Sequence, residues 1–272
     1  MIAIFDSGYG GLTIFNSIRR RLPDYDYIYI GDNARAPYGS RSFDVVYRFT
    51  LQAVKKMLDM GADLVILACN TASAKALRTI QQNDLPRLDP SGLKRVLGII
   101  RPSAEALGRF TKSNNVGILA TQGTVSSNSY LIEMNHLWPD VKVFQQACPL
   151  WVPLVENAEF DKPGADYFVR QYTAQLMSQC PQIDAVMLAC THYPLLAPKI
   201  AEALPRGVTL LSQGDIVADS LADYLARHPE IDNALPRNGT AKFFTSESAE
   251  KFAETAGLFF MGNLDVAHLE IV

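Results

Sequence analysis

Two patterns of apolar residues alternate along the chain from end to end. Short apolar runs read as buried strands. Stretches with apolar positions three and four apart read as amphipathic helices. Residues 2–5 form the first run. A glycine-rich turn, Asp6-Ser7-Gly8-Tyr9-Gly10-Gly11, then leads into a helical stripe of Leu12, Phe15, Ile18 and Leu22, ended by Pro23-Asp24. A strand at 27–30 and a polar loop at 31–39 precede a long helix over 42–60, with Val46, Phe49, Ala53 and Met57 on one face. Gly61 suits its C-terminal cap. The strand at 64–68 delivers Cys69, and a helix carries Ala72, Ala76, Leu77 and Ile80 away. Residues 83–91, rich in proline, aspartate and serine, read as a linker or long loop.

The alternation then restarts. Strands are expected at 96–99, 116–119, 141–144, 185–189, 208–211 and 242–245. Helices are expected at 102–110, 124–134, 163–179, 216–226 and 246–256. Pro194 sits early in the helix after Cys190, where proline is tolerated, and the apolar stretch 264–271 looks like an edge strand. Strands alternating with helices imply an α/β fold built on mainly parallel sheets flanked by helices. Two such domains are expected. The first covers 1–94 plus 208–272 and carries Cys69; the second covers 95–207 and carries Cys190.

One unit occurs twice. Asp63-Leu64-Val65-Ile66-Leu67-Ala68-Cys69-Asn70-Thr71 matches Asp184-Ala185-Val186-Met187-Leu188-Ala189-Cys190-Thr191-His192 in plan. Each puts a thiol at the carboxyl end of a buried strand, where open α/β sheets bind ligands. The pair suggests a duplicated half-site with one cysteine from each half.

Composition narrows the class. At 272 residues, 48% apolar and 19% charged, the chain is globular and long enough for sizeable cores. A net charge of −3 gives no bulk electrostatic case for a nucleic-acid partner. No apolar run approaches a membrane span, and the first residues lack the layout of a signal peptide, so the cytoplasm is the expected compartment. Of the four cysteines, Cys69, Cys148, Cys180 and Cys190, none forms Cys-x-x-Cys. Zinc or thioredoxin-like chemistry therefore has little support, and a disulfide is not expected in a reducing compartment. Cys180 reads as a small buried apolar residue.

Several residues are placed for chemistry. A thiol at a helix start feels the positive end of the helix dipole, which favours thiolate. Asn70, Thr71 and Thr191 can cap those helices or hold a ligand carboxylate. His192 stands two residues from Cys190, a setting that His136, His228 and His268 lack. The turn at Gly8 and Gly10 admits a nucleotide-binding reading, with Asp32 as a ribose-binding acid. The third glycine of that fingerprint is replaced by Thr13, and the Asp6 carboxylate would repel a pyrophosphate.

Asp6-Ser7-Gly-x-Gly-Gly, Pro37-Tyr38-Gly39, Cys69-Asn70-Thr71-Ala72, Thr121-x-x-Thr124 and Cys190-Thr191-His192-Tyr193-Pro194 together resemble the glutamate racemases of the cofactor-independent aspartate/glutamate racemase superfamily. The resemblance implies an active site in the cleft between two similar domains, interconverting L- and D-glutamate, with the D form serving bacterial peptidoglycan synthesis. It implies that Cys69 and Cys190 are the catalytic acid/bases, the first taking the α-proton from D-glutamate and the second from L-glutamate. Asp6, His192 and Glu156 match assisting groups. Ser7, Tyr38, Gly39, Asn70, Thr71, Thr121, Thr124 and Thr191 match substrate-binding positions, joined there by Asp6 and His192. A homodimer is the family's common assembly.

The chemistry is consistent with that implication. Inverting a carbon by proton exchange needs a base on one face and an acid on the other, and a thiol can serve as either. A pyridoxal cofactor would need a Schiff-base lysine; Lys55, Lys56 and Lys75 lie in helices, and no metal-binding pattern appears. No cofactor and no metal are expected. Ser103 departs from the family's Pro-Gly-Ala turn, at no catalytic position. The chain starts at its first strand, so activation by a peptidoglycan precursor is not expected. The alternatives are a racemase of aspartate or another amino acid, a nucleotide-dependent oxidoreductase, or a noncatalytic amino-acid sensor.

Overall fold

A computed structural model describes residues 1–260, 262 and 264–272. Among the described residues ten strands form two sheets. The first has six strands in the order β10-β9-β2-β1-β3-β4, and the second has four in the order β6-β5-β7-β8. In chain order they are β1 (Ile2–Asp6), β2 (Tyr27–Gly31), β3 (Leu64–Leu67), β4 (Arg95–Gly98), β5 (Asn115–Ala120), β6 (Lys142–Ala147), β7 (Ala185–Ala189), β8 (Thr209–Ser212), β9 (Ala241–Thr245) and β10 (Val266–His268). Every strand pairing is parallel, so within each sheet all carboxyl ends lie on one edge.

The central strands β1, β2, β3, β5 and β7 are buried along their whole length, as continuous apolar runs covered by helices on both faces must be. Strand order reverses around β1 in the first sheet and around β5 in the second. A crevice opens at such a reversal because the connections leave in opposite directions. Asp6 and Cys69 stand at the first reversal; Thr121 and Cys190 stand at the second.

Two strands belong to the sheet opposite the one expected. β4 was expected to open the second domain, but it pairs with β3, Val65 opposite Val96. β8 was expected to return to the first domain, but it closes the second sheet, with Val186 opposite Leu210. The helix Ile100–Phe110 then carries the chain out of the first sheet, and Gln213–Arg227 carries it back. The returning helix packs on Gly11–Arg21: a side chain on Gly214 would meet Ser17 Oγ at 2.6 Å, and Arg21 Nε donates to Asp219 at 2.8 Å. One apolar cluster spans the join, from Ile4 and Phe15 to Leu188 and Tyr193.

Other differences are local. Residues 83–91 are not a linker through most of their length, because helical turns continue through Ile80–Asp84 and Leu85–Leu88. Ile80 is buried, and Pro86 falls in a first turn, where its missing N–H costs nothing. The helix expected at 124–134 is two, Gln122–Ser126 and Ser129–Leu137. They part at Asn128, whose φ of +55° is a left-handed conformation that asparagine tolerates. Among the described residues no helix is long and apolar enough to cross a membrane.

Candidate active site

The two cysteines line one cavity of ≈ 150 Å³ between the sheets. Ser7, Tyr38, Gly39, Asn70, Thr71, Thr121, Glu156, Thr191 and His192 line it with them. Asp6 and Thr124 do not reach its wall; they are buried directly behind it.

On the first side, β3 ends and Cys69 caps the helix Asn70–Lys75, its sulfur accepting from the Ala72 N–H at 3.4 Å. Ser7 Oγ lies 3.4 Å from the same sulfur. Asp6, at the end of β1, accepts from the Gly8 N–H at 2.9 Å through Oδ2, while its Oδ1 is buried without a partner among the described residues. Burial raises the Asp6 carboxyl above the usual range, and the His192 charge works against that rise. Burial, reinforced by the Asp6 charge, pushes the Cys69 thiol up to about 12, against the hydrogen bonds from Ser7 and Ala72. This corrects the expectation that a helix-start position favours thiolate at Cys69. Loss of water around the sulfur outweighs the helix terminus.

On the second side, β7 ends at Cys190, and His192 Nδ1 lies 3.9 Å from its sulfur. His192 Nε2 is 2.9 Å from Glu156 Oε1. Burial pulls the imidazole down, but the bonds and charges of Cys190 and Glu156 outweigh it and carry His192 up to about 10. Glu156 reaches this position because its helix, Trp151–Glu156, is anchored to the turn after Cys190. Trp151 packs edge-on against Tyr193 at 4.8 Å, and the Tyr193 hydroxyl donates to the Cys148 carbonyl at 3.1 Å.

The polar wall is self-contained. Thr71 Oγ1 lies 3.0 Å from Thr121 Oγ1 and 3.4 Å from Thr124 Oγ1, joining the halves through three hydroxyls. Thr121 caps its helix by accepting from the Thr124 N–H at 3.3 Å. Tyr38 presents its ring to the cavity and turns its hydroxyl away to donate to the buried Asp32. Gly39 crosses to the other half, its carbonyl accepting from the Gly123 N–H at 2.7 Å. A side chain on Gly10 would overlap Thr191 Oγ1 and His192 Nδ1. The glycine turn is thus filled by the second half, which leaves the nucleotide reading no room.

The sequence model of the Asp/Glu/hydantoin racemases matches residues 12–221. The chain belongs to this family. A glutamate racemase of Dinoroseobacter shibae is 41% identical, over 99% of this chain and 98% of its own length. Among solved structures, a glutamate racemase isoform of Bacillus anthracis superposes with a TM-score of 0.90 at 34% identity, covering 100% of this chain and 97% of the other. The glutamate racemase of Francisella tularensis, solved with D-glutamate, superposes with a TM-score of 0.85 at 28% identity, covering 100% of this chain and 96% of that one.

Within this cavity, sequence reasoning passed over Cys148, Pro149 and Val152, which form an apolar part of the wall. A signal existed: Ala147-Cys148 ends β6 as Ala68-Cys69 follows β3 and Ala189-Cys190 ends β7. Gln213, buried against Asn70, carried no local signal at all. Among the described residues no group of three or more His, Cys, Asp or Glu is arranged to hold a metal ion.

Proposed function

We propose that the chain interconverts L- and D-glutamate by cofactor-independent proton exchange between two thiols, supplying D-glutamate for peptidoglycan synthesis. The observation that carries this reading is the cavity itself: two buried thiols, delivered by different sheets, face one space with different charge partners. With L-glutamate, Cys190 takes the α-proton, the electron pair stays on Cα, and Cys69 delivers its own proton to the other face. With D-glutamate the roles reverse. His192, held by Glu156, assists at Cys190, and Asp6 assists at Cys69. The α-hydrogen of an amino acid is a very weak acid, so the developing charge needs preorganised donors. Ser7, Asn70, Thr71, Thr121 and Thr191 supply them at the wall, with the Tyr38-Gly39 loop closing over the substrate and Thr124 supporting Thr121 from behind.

Burial and the Asp6 charge favour the protonated Cys69 thiol, the form that donates when L-glutamate is the substrate. We also propose that the protein is a cytoplasmic homodimer; sedimentation velocity tests the dimer, with a monomer mass overturning it, and cell fractionation tests the compartment. The function is tested by incubation with L- or D-glutamate in deuterated water, following optical rotation and α-hydrogen exchange. Racemisation that is lost in both Cys69→Ser and Cys190→Ser supports the reading. Full activity in either variant sinks the two-thiol mechanism, and full activity on aspartate with none on glutamate moves the substrate.

A further inference from the structure

Behind Cys69 lies a hydrogen-bonded cluster of which the chemistry above uses only Asn70. Asn70, Ser103, Tyr130 and Gln213 are 3%, 0%, 0% and 2% exposed. They come from four helices, Asn70–Lys75, Ile100–Phe110, Ser129–Leu137 and Gln213–Arg227. Gln213 Nε2 lies 2.7 Å from Ser103 Oγ, 2.9 Å from the Tyr130 hydroxyl and 3.2 Å from Asn70 Oδ1. Gln213 Oε1 accepts from Asn70 Nδ2 at 2.6 Å. The Tyr130 hydroxyl donates to Asn70 Oδ1 at 2.8 Å, and Ser103 Oγ donates to the Ile99 carbonyl at 2.6 Å.

The direction of each bond is forced. A backbone carbonyl can only accept, so Ser103 uses its one proton on Ile99 and must accept from Gln213. Gln213 therefore turns its nitrogen toward Ser103 and Tyr130 and its oxygen toward Asn70. Asn70 has to meet that oxygen with an N–H, while its own oxygen accepts from Tyr130 and shares the second Gln213 N–H with the Tyr130 hydroxyl. One N–H of Asn70 is left without an acceptor among the described residues, and Asn70 lines the cavity. Reversing either amide would set buried donors against donors and acceptors against acceptors, which a dry site does not tolerate.

We propose that Gln213 is a positioning residue: fixed by Ser103 and Tyr130, it locks the Asn70 amide so that an N–H, and not the oxygen, is presented to the cavity, where it receives a carboxylate oxygen of the substrate. The ligand's identity rests on the glutamate reading; the polarity of Asn70 rests on the bonds alone. The device acts through the fold, since Gln213 and Asn70 meet only where the returning helix reaches the first sheet.

The test is a double-mutant cycle. In Gln213→Leu, KM for both enantiomers rises about tenfold while kcat changes less than about threefold, the scale of one lost hydrogen bond to a charged group. In an Asn70→Ala background, Gln213→Leu raises KM no further, because the group it positions is gone. A merely structural role would lower the melting temperature and kcat and leave KM in place. An unchanged KM, or the same rise in both backgrounds, overturns the proposal. If Gln213→Leu does not fold, Ser103→Ala replaces it in the cycle; it removes only the acceptor that orients Gln213, and a smaller rise that vanishes without Asn70 is expected. Calorimetric Kd values for glutamate run through the same cycle. A wild type that binds glutamate without racemising it fails the functional reading alone. An additive cycle in a racemising wild type fails this proposal alone, and a wild type that binds no glutamate sinks both.

Discussion

Cys69 and Cys190 follow equivalent strands, cap or precede equivalent turns, and line the same cavity, yet their surroundings differ in charge. The Cys69 side carries a buried carboxyl group with one oxygen unpartnered among the described residues, and burial with the Asp6 charge raises the thiol. The Cys190 side carries an imidazole held protonated by Glu156 and by the cysteine itself. Backbone duplication therefore brings two thiols to one cavity, and unlike partners give them unlike surroundings.

Replacing the sulfurs tests the comparison most severely. Cys69→Ala and Cys190→Ala are each expected to lower racemisation by at least about a thousandfold, within the range of a lost general acid or base. The residual chemistry should be one-sided. Cys69→Ala still exchanges the α-hydrogen of L-glutamate with deuterated solvent, and Cys190→Ala still exchanges that of D-glutamate, both followed by proton NMR. Exchange on the wrong enantiomer would reverse the assignment.

Changing the helpers comes next, with His192→Asn and Asp6→Asn each costing about a hundredfold in kcat/KM. Because racemisation has an equilibrium constant of one, that loss must be equal in both directions. The asymmetry appears instead in the isotope effect, which grows with α-deuterated L-glutamate for His192→Asn and with the D enantiomer for Asp6→Asn.

The pH profile sharpens the contrast further. His192 is raised from 6.5 to about 10, so its contribution to folding stability is fully present below about 6.5 and lost as pH rises through about 10. Cys69, raised from 9.0 to about 12, acts in the same direction over a higher window. Thermal unfolding across this range should show stability falling on the alkaline side. Glu156→Gln should move the His192 part of that fall, and the matching limb of kcat/KM, toward 6.5.

The smallest effects concern two glycines, one packed at the join and one away from it. Gly10→Ala should cost roughly 1–3 kcal/mol by overpacking against Thr191 and His192, seen as a lower melting temperature with reduced activity. Gly164→Ala, where an added methyl meets nothing within 4 Å, should be neutral or stabilising by up to about 1 kcal/mol in its helix.

Much of this molecule is written locally. Strand, glycine turn and helix are set by near neighbours, which is why the repeated Ala-Cys ends at Cys69 and Cys190, the Asp6 turn and the two-sheet α/β class were readable from the chain. The same locality explains the misplacement of β4 and β8: an apolar run announces a strand but not the sheet it will join. Ser103 shows the limit most clearly. It seemed remote from the chemistry, and it stands two hydrogen bonds from the cavity through Gln213 and Asn70. The sequence by itself determined which groups exist and which strand ends carry them. Only the tertiary structure decided that Cys69 keeps its proton, that Glu156 meets His192, and that Gln213 turns Asn70. Desolvation, charge and hydrogen-bond direction depend on distances between residues far apart in the chain, and no local pattern encodes those distances.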